Sequence, residues 1–229
     1  MKIDIQESGA FQWALATLET GESLTSESGA LFRSTGNIEV DVTTRARSRG
    51  GLMSGLKRLL AAEHFFFSRY TVKGSGRGEV GLAPILPGMV REIALDGATR
   101  WLCAGGSYLA SSEEIEVDTA FQGFKGLLTS SQLFFLRLSG SGSLLLSGFG
   151  RLVEIEVKGE LVVDSGHVAA FTDDLQYSVS KAGTSWTHSW LAGEGLVFHF
   201  SGRGRVICQS HHTTGFGRLL GRLLPPRRR

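Results

Sequence analysis

Three stretches of this chain can be laid over one another without a gap, and any fold must accommodate that repetition. GALFRSTGNIEVD from Gly29, GSYLASSEEIEVD from Gly106 and GHVAAFTDDLQYS from Gly166 each open on glycine, pass through an apolar run and a small polar turn, and reach Ile38, Ile115 or Leu175 at the same spacing. A second half recurs as well. GLKRLLAAEHFFFSR from Gly55 aligns with GFKGLLTSSQLFFLR from Gly123, so that Lys57 matches Lys125, Phe66 and Phe67 match Phe134 and Phe135, and Arg69 matches Arg137. The third copy keeps less, echoing LAAEHFFF as LAGEGLVF around Glu194. The chain therefore reads as three β-units, roughly 8–82, 83–146 and 147–210, in one domain over residues 1–210, with a basic tail over 211–229. Units of this size are marginal alone and are expected to share one core.

Each unit is written as strands. RLVEIEVKGELVV shows the period of two, with Val153, Ile155 and Val157 alternating with Glu154, Glu156 and Lys158. Gly159 then predicts a turn before Leu161 and Val163. Glycine is abundant and proline scarce, 31 against 4, which is the texture of an all-β chain with short glycine turns. Stacked sheets or a β-helical sandwich satisfy this pattern. GLKRLL from Gly55 has the look of a membrane-seeking helix, but its return as GFKGLL makes it a short helical connector, its leucines packed and Lys57 and Arg58 solvated.

The formal charge of +2 is smaller than the contribution of Arg227, Arg228 and Arg229. The body is thus near neutral, and a broad phosphate-neutralising face is not expected outside the tail. Cys103 and Cys208 stand far apart in no CxxC spacing and read as reduced, small apolar residues. No apolar run approaches the ~20 residues that span a bilayer, and no secretory or import leader is evident at MKIDIQESGAF, so the expectation is a cytoplasmic protein.

Motifs that would carry chemistry are weak. GRGEVG, Gly76 to Gly81, spells a dinucleotide fingerprint, but LAPILPG follows where a helix should start, so strand and turn glycine is the reading. Of the six histidines, His167, His199 and His211 fall on or beside strands; His211 and His212 are expected on opposite faces of one strand, which disfavours a shared metal. No serine sits in a GxSxG elbow. The acidic pairs Glu113–Glu114 and Asp173–Asp174 occupy the same place in two units, inside turns, and read as solvated. Phe65 to Phe67 and Phe134–Phe135 read as core or subunit interface, whereas Trp186 and Trp190 lie where the third unit departs from the others. No catalytic residue, metal site or cofactor is assigned, and a non-enzymatic protein is expected.

Taken in order, LAPILPGMVREIALDG, GGLMSGLKRLLAAE, GFKGLL, GRLVEIEVKGELVVDSGHVAAF and GEGLVFHFSGRGRVICQS resemble the altered-inheritance-of-mitochondria protein 24 family, from about Phe11 to Ser210. That resemblance implies an all-β, double-stranded β-helix-like sandwich, similar in architecture to the tryptophan RNA-binding attenuator protein, and a homotrimer. It further implies kinship with mitochondrial proteins of inner-membrane organisation and respiratory-chain assembly, and supplies no reaction, ligand or catalytic residue. Family members tend to end the last strand with Gln-Thr-Arg. Here Gln209-Ser210-His211 stands instead, so an arginine contact is not carried over.

The tail GFGRLLGRLLPPRRR places Leu219, Leu220, Leu223 and Leu224 at helical spacing beside Arg218 and Arg222, stopped by Pro225 and Pro226 and followed by Arg227, Arg228 and Arg229. These nine leucines and arginines are the candidate contacts for an anionic membrane surface or a partner assembly, in a short C-terminal helix. The leading expectation is a trimeric scaffold or binding protein, cytoplasmic and peripheral at the membrane. A small-molecule or metal-binding β-barrel, or an enzyme of that type, is the alternative. RNA binding, by kinship of fold alone, is a third reading.

Overall fold

The computed structural model describes residues 1–8, 11–43, 66–119, 134–181 and 196–225. The connector motifs GLKRLL and GFKGLL, together with Phe65, Trp186, Trp190, His64, His188, Pro226 and Arg227 to Arg229, lie outside the described residues.

The described residues are mostly strand, with two single-turn 3-10 helices, Gly105–Ser107 and Ser165–His167, and one short α-helix at the C-terminal end. The strands are β1 (Lys2–Ser8), β2 (Phe11–Glu19), β3 (Ser23–Glu27), β4 (Leu31–Ser34), β5 (Ile38–Thr43), β6 (Phe67–Val72) and β7 (Arg77–Leu82). They continue as β8 (Val90–Asp96), β9 (Trp101–Ala104), β10 (Tyr108–Ser112), β11 (Glu116–Thr119), β12 (Phe135–Ser139) and β13 (Ser141–Ser147). The last are β14 (Leu152–Asp164), β15 (Val168–Thr172), β16 (Gln176–Lys181) and β17 (Leu196–Gln209), before helix α1 (Thr213–Leu223).

Three curled antiparallel sheets make a sandwich, ordered β1-β2-β7-β4, β5-β6-β3-β10-β13-β8 and β11-β12-β9-β15-β17-β14, with β16 added on β17. The pairings follow a rule. β2 pairs with β7, β8 with β13 and β14 with β17. β4, β10 and β15 lie against the ends of β7, β13 and β17, each with a register shift after its first residue, at Leu31/Arg33, Tyr108/Ala110 and Val168/Ala170. Two further pairings join successive stretches of chain within one sheet each: β3 with β10, matching Ser26 to Ala110, and β9 with β15, matching Cys103 to Ala170.

Burial follows the alternation. β2 alternates buried and half-buried residues along its length, so Ala14, Ala16 and Leu18 enter a core shared with Leu109 and Leu145 from the neighbouring sheet. A second cluster packs Trp101, Tyr108, Leu136 and Ile207 together, and a third gathers Phe135, Phe171, Phe198 and Phe200. Phe67 and Phe135 are buried, while Phe66 is partly exposed.

One expectation is corrected. Gly159 makes no turn: β14 runs unbroken through it, in register with β17 from Leu152↔Gln209 to Asp164↔Val197. Gly159 faces Gly202, and both hold positive φ, 121° and 107°. Two glycines opposite one another let both strands bend at the same rung without breaking the ladder.

Candidate functional site

The strand β17 ends at Gln209, so His211 and His212 stand in the turn to α1 and not on opposite faces of a strand as their spacing suggested. His212 caps the helix. Its Nδ1 accepts the Gly215 N–H at 2.8 Å, which leaves Nε2 to carry the proton and donate to Asp164 Oδ1 at 3.1 Å. The ring meets that of His167 edge-on at 5.4 Å, and His167 Nδ1 lies 2.8 Å from the Gln209 carbonyl oxygen, which fixes it as a donor. One turn into α1, Phe216 packs at a tilt against Phe149, centroids 5.1 Å apart, with His211 tilted against the same ring at 5.0 Å.

Beyond Phe216 the helix is unsupported, and none of its residues is buried. Leu219, Leu220, Leu223 and Leu224 project on the face that Phe216 begins, Leu223 being 75% exposed. Arg218 and Arg222 fall on the opposite face at 100° per residue. Leu224 N–H bonds the Leu220 carbonyl, and Pro225 ends the element. The sequence-predicted leucines and two of the arginines are thus brought together on an amphipathic helix held at its first turn.

The same end of the body carries the joints between successive stretches. Gly88 and Gly150 form an isolated bridge, Met89 N–H bonds the Gly150 carbonyl, and Gly150 N–H bonds that of Pro87. Two buried glutamines tie these joints down. Gln12 Oε1 accepts Val90 N–H at 2.8 Å; Gln209 Oε1 accepts Phe149 N–H at 2.9 Å while its Nε2 donates to the Gly166 carbonyl at 2.9 Å. Beside them an open groove of about 360 Å³ is lined by Phe11, Trp13, Phe32, Pro84, Leu86 and Pro87 among others. Trp13 meets Phe32 edge-on at 4.8 Å, and Arg33 sits over the Trp13 ring. Sequence reading missed this groove and both glutamines; a lone Gln in an otherwise apolar strand was the available signal.

Other sequence candidates are dispersed. Glu113 and Asp173 do occupy turns, but they are not merely solvated: Glu113 pairs with Arg69 at 2.6 Å and accepts Ser23 Oγ, and Asp173 pairs with Arg100 and Arg137 at 3.4 and 3.3 Å. His199 lies apart from the other histidines, on Ser180 Oγ. Among the described residues no group of three or more His, Cys, Asp or Glu is placed to hold a metal ion. Cys103 and Cys208 are free thiols; burial raises both, Cys208 to about 11, which disfavours the thiolate. GRGEVG supplies most of β7, and the next described element after it is the strand β8, not a helix. Nor is any described helix long and apolar enough to cross a membrane.

Comparison with known proteins gives one consistent answer. The family model described as mitochondrial biogenesis AIM24 matches residues 3–211. An uncharacterised protein of Streptococcus pyogenes serotype M6 is 26% identical over 231 aligned positions, covering 98% of this chain and 92% of its own length. A crystal structure of a Streptococcus pyogenes protein superposes with a TM-score of 0.80 at 25% identity, covering 97% of this chain and 99% of the other.

Proposed function

The chain belongs to the mitochondrial biogenesis AIM24 family, and from that premise we propose that it is a non-enzymatic, homotrimeric scaffold of the cytoplasm, built as a double-stranded β-helix-like sandwich, that docks peripherally on an anionic membrane surface through α1 and the arginines after it. The observation that carries this reading is α1 itself: a leucine face left open, an arginine face opposite, and an attachment confined to the first turn. An interfacial helix inserts its apolar face among acyl chains while its cations remain at the headgroups. Each arginine near an anionic surface adds about 1 kcal/mol, attenuated by salt. One short helix binds weakly, and three on one rigid body bind with avidity. Support for a non-enzymatic role comes from Glu113 and Asp173, engaged with arginines, and from thiols held protonated by burial.

Co-sedimentation with phosphatidylglycerol–phosphatidylcholine vesicles tests the docking step. The full chain is expected to pellet with anionic vesicles at low salt and to release as salt rises, while the chain lacking residues 213–229 loses binding at least tenfold. Equal binding by the two chains overturns the membrane reading. Binding of neither, with α1-dependent capture of a protein in its place, transfers the helix to a protein partner and equally overturns it.

A further inference from the structure

The pairing of successive stretches of chain within a sheet stops short at both ends of the chain, and the two unfinished ends match. Counted from the aligned glycines Gly29, Gly106 and Gly166, the strands β4, β10 and β15 are equivalent, as are β3, β9 and the 160–164 half of β14. β10 pairs with β3 through Ala110↔Ser26, Ser111↔Thr25 and Ser112↔Leu24. β15 pairs with β9 through the equivalent residues, Ala170↔Cys103, Phe171↔Leu102 and Thr172↔Trp101. β4 has no such partner, being the edge of its sheet, and the 160–164 half of β14 is likewise an edge, paired with β17 on one side alone.

Exposure tracks this difference. Every residue of β10 and β15 is buried, whereas β4 is half-buried at Leu31 and exposed from Phe32 to Ser34. Phe32 is 51% exposed, but its equivalents Leu109 and Ala169 are 1% and 0% exposed. What covers those two is the preceding stretch of chain: Leu109 clusters with Leu24 and Tyr70, and Ala169 with Trp101 and Leu136. On the other side, Val162 is 58% exposed where its equivalent Leu102 is 1%. An apolar edge of this kind on a stable protein is normally blunted or covered.

We propose that β4 of one copy pairs antiparallel with the 160–164 half of β14 of a second copy, in the register Arg33↔Val163, Ser34↔Val162 and Thr35↔Leu161, continuing between chains the rule that joins β3 to β10 and β9 to β15 within one. The β2-β7-β4 half-sheet then meets β14, β17 and β16 of its neighbour and becomes a complete sheet like the other two. Such a contact is head-to-tail, because different surfaces of the two copies meet, and it leaves no free edge only when the ring closes. This inference rests on the oligomeric part of the reading above and is independent of its membrane part.

Backbone alternation supplies a clean perturbation. Thr35 N–H bonds Glu79 across to β7, so the N–H of Ser34 points away from β7 to the open edge. Ser34→Pro therefore removes an outward donor and spares the β4–β7 ladder. Light scattering should give a trimer for the full chain and the mass of one chain for Ser34→Pro and for Val162→Lys, with far-UV circular dichroism retained. Val162→Lys decides the matter where the proline variant fails to fold. Opposed residues of an antiparallel pair lie ~4.5–5.5 Å apart at Cα, within disulfide reach. The Ser34→Cys/Val162→Cys chain should thus oxidise to covalent oligomers, and neither single variant should. A wild type with the mass of one chain overturns both the trimer and this contact. A trimer that survives both edge variants, or a covalent dimer from Ser34→Cys alone, overturns the contact and leaves the trimer standing.

Discussion

At the residue scale the chain spends stability on one carboxyl. The side-chain carboxyl of Glu27, at the end of β3 opposite Phe67, has no hydrogen-bond or ion-pair partner among the described residues, and burial raises its pKa to about 7. The unfolded chain therefore holds fewer protons on this group than the folded one between about pH 4.5 and 7, and folding stability falls as pH rises through that window. Glu27→Gln removes the effect. Above pH 7 the variant should be more stable by about 1–3 kcal/mol, and the gap should close toward pH 4.5, as read by urea midpoints across that range. A gap that is constant with pH would show that Glu27 does not titrate with folding. Nothing in SLTSE announces this carboxyl, because the alternation of β3 is legible in its residues while the depth of its last one is set by neighbours far along the chain. Gln12 and Gln209 are similar cases. Their positions in strands are readable, but the backbone groups they satisfy, at the start of β8 for Gln12 and at Phe149 and Gly166 for Gln209, are brought near by approaches that no local pattern encodes.

Among the elements, those with strong periodicity were readable and those made by contact were not. The strand pattern of β14 and the leucine spacing in α1 are properties of single stretches, and the structure has both elements, but burial along β14 departs from the expected alternation: Val153 is 45% exposed while Glu154 is half-buried between Arg91 and Arg205. The turn expected at Gly159 failed because glycine marks positive φ without saying whether the chain reverses or merely bends; the opposed Gly202 decides for a bend. The capping role of His212 was equally hidden, since it needs Asp164 to orient the ring. A different glycine governs the joint between β7 and β8. A Cβ on Gly88 would overlap the Gly148 carbonyl oxygen and the Gly150 backbone, groups that the strands on either side hold in place. Gly88→Ala should cost about 1–3 kcal/mol by the cost of overpacking, visible as a lower urea midpoint at unchanged slope. A midpoint equal to that of the wild type would mean that the joint has room to open.

For the whole molecule, one apolar cluster joins the second sheet to the third and another joins the first to the second, so the sheets are expected to unfold together. The proposed trimer would couple folding to assembly by mass action, because a trimer that unfolds to separate chains gains stability with concentration. The thermal midpoint should rise by a few degrees for each tenfold increase in protein, and it should be flat with concentration in the Val162→Lys variant. A flat wild-type midpoint would leave each chain to stand alone.

The opposed glycines of β14 and β17 have one more consequence. Elsewhere the corresponding strands are separate pieces, joined by loops that absorb small errors in position. Here thirteen consecutive residues of β14 run in one uninterrupted match to β17, so the ribbon acts as a ruler laid between the helix-bearing end and the outer edge at 160–164. A slip of one rung anywhere would turn every side chain along it to the wrong face. The distance from α1 to the open edge at 160–164 is thereby graduated in residues, and an insertion or deletion within the ribbon would miscalibrate both ends at once.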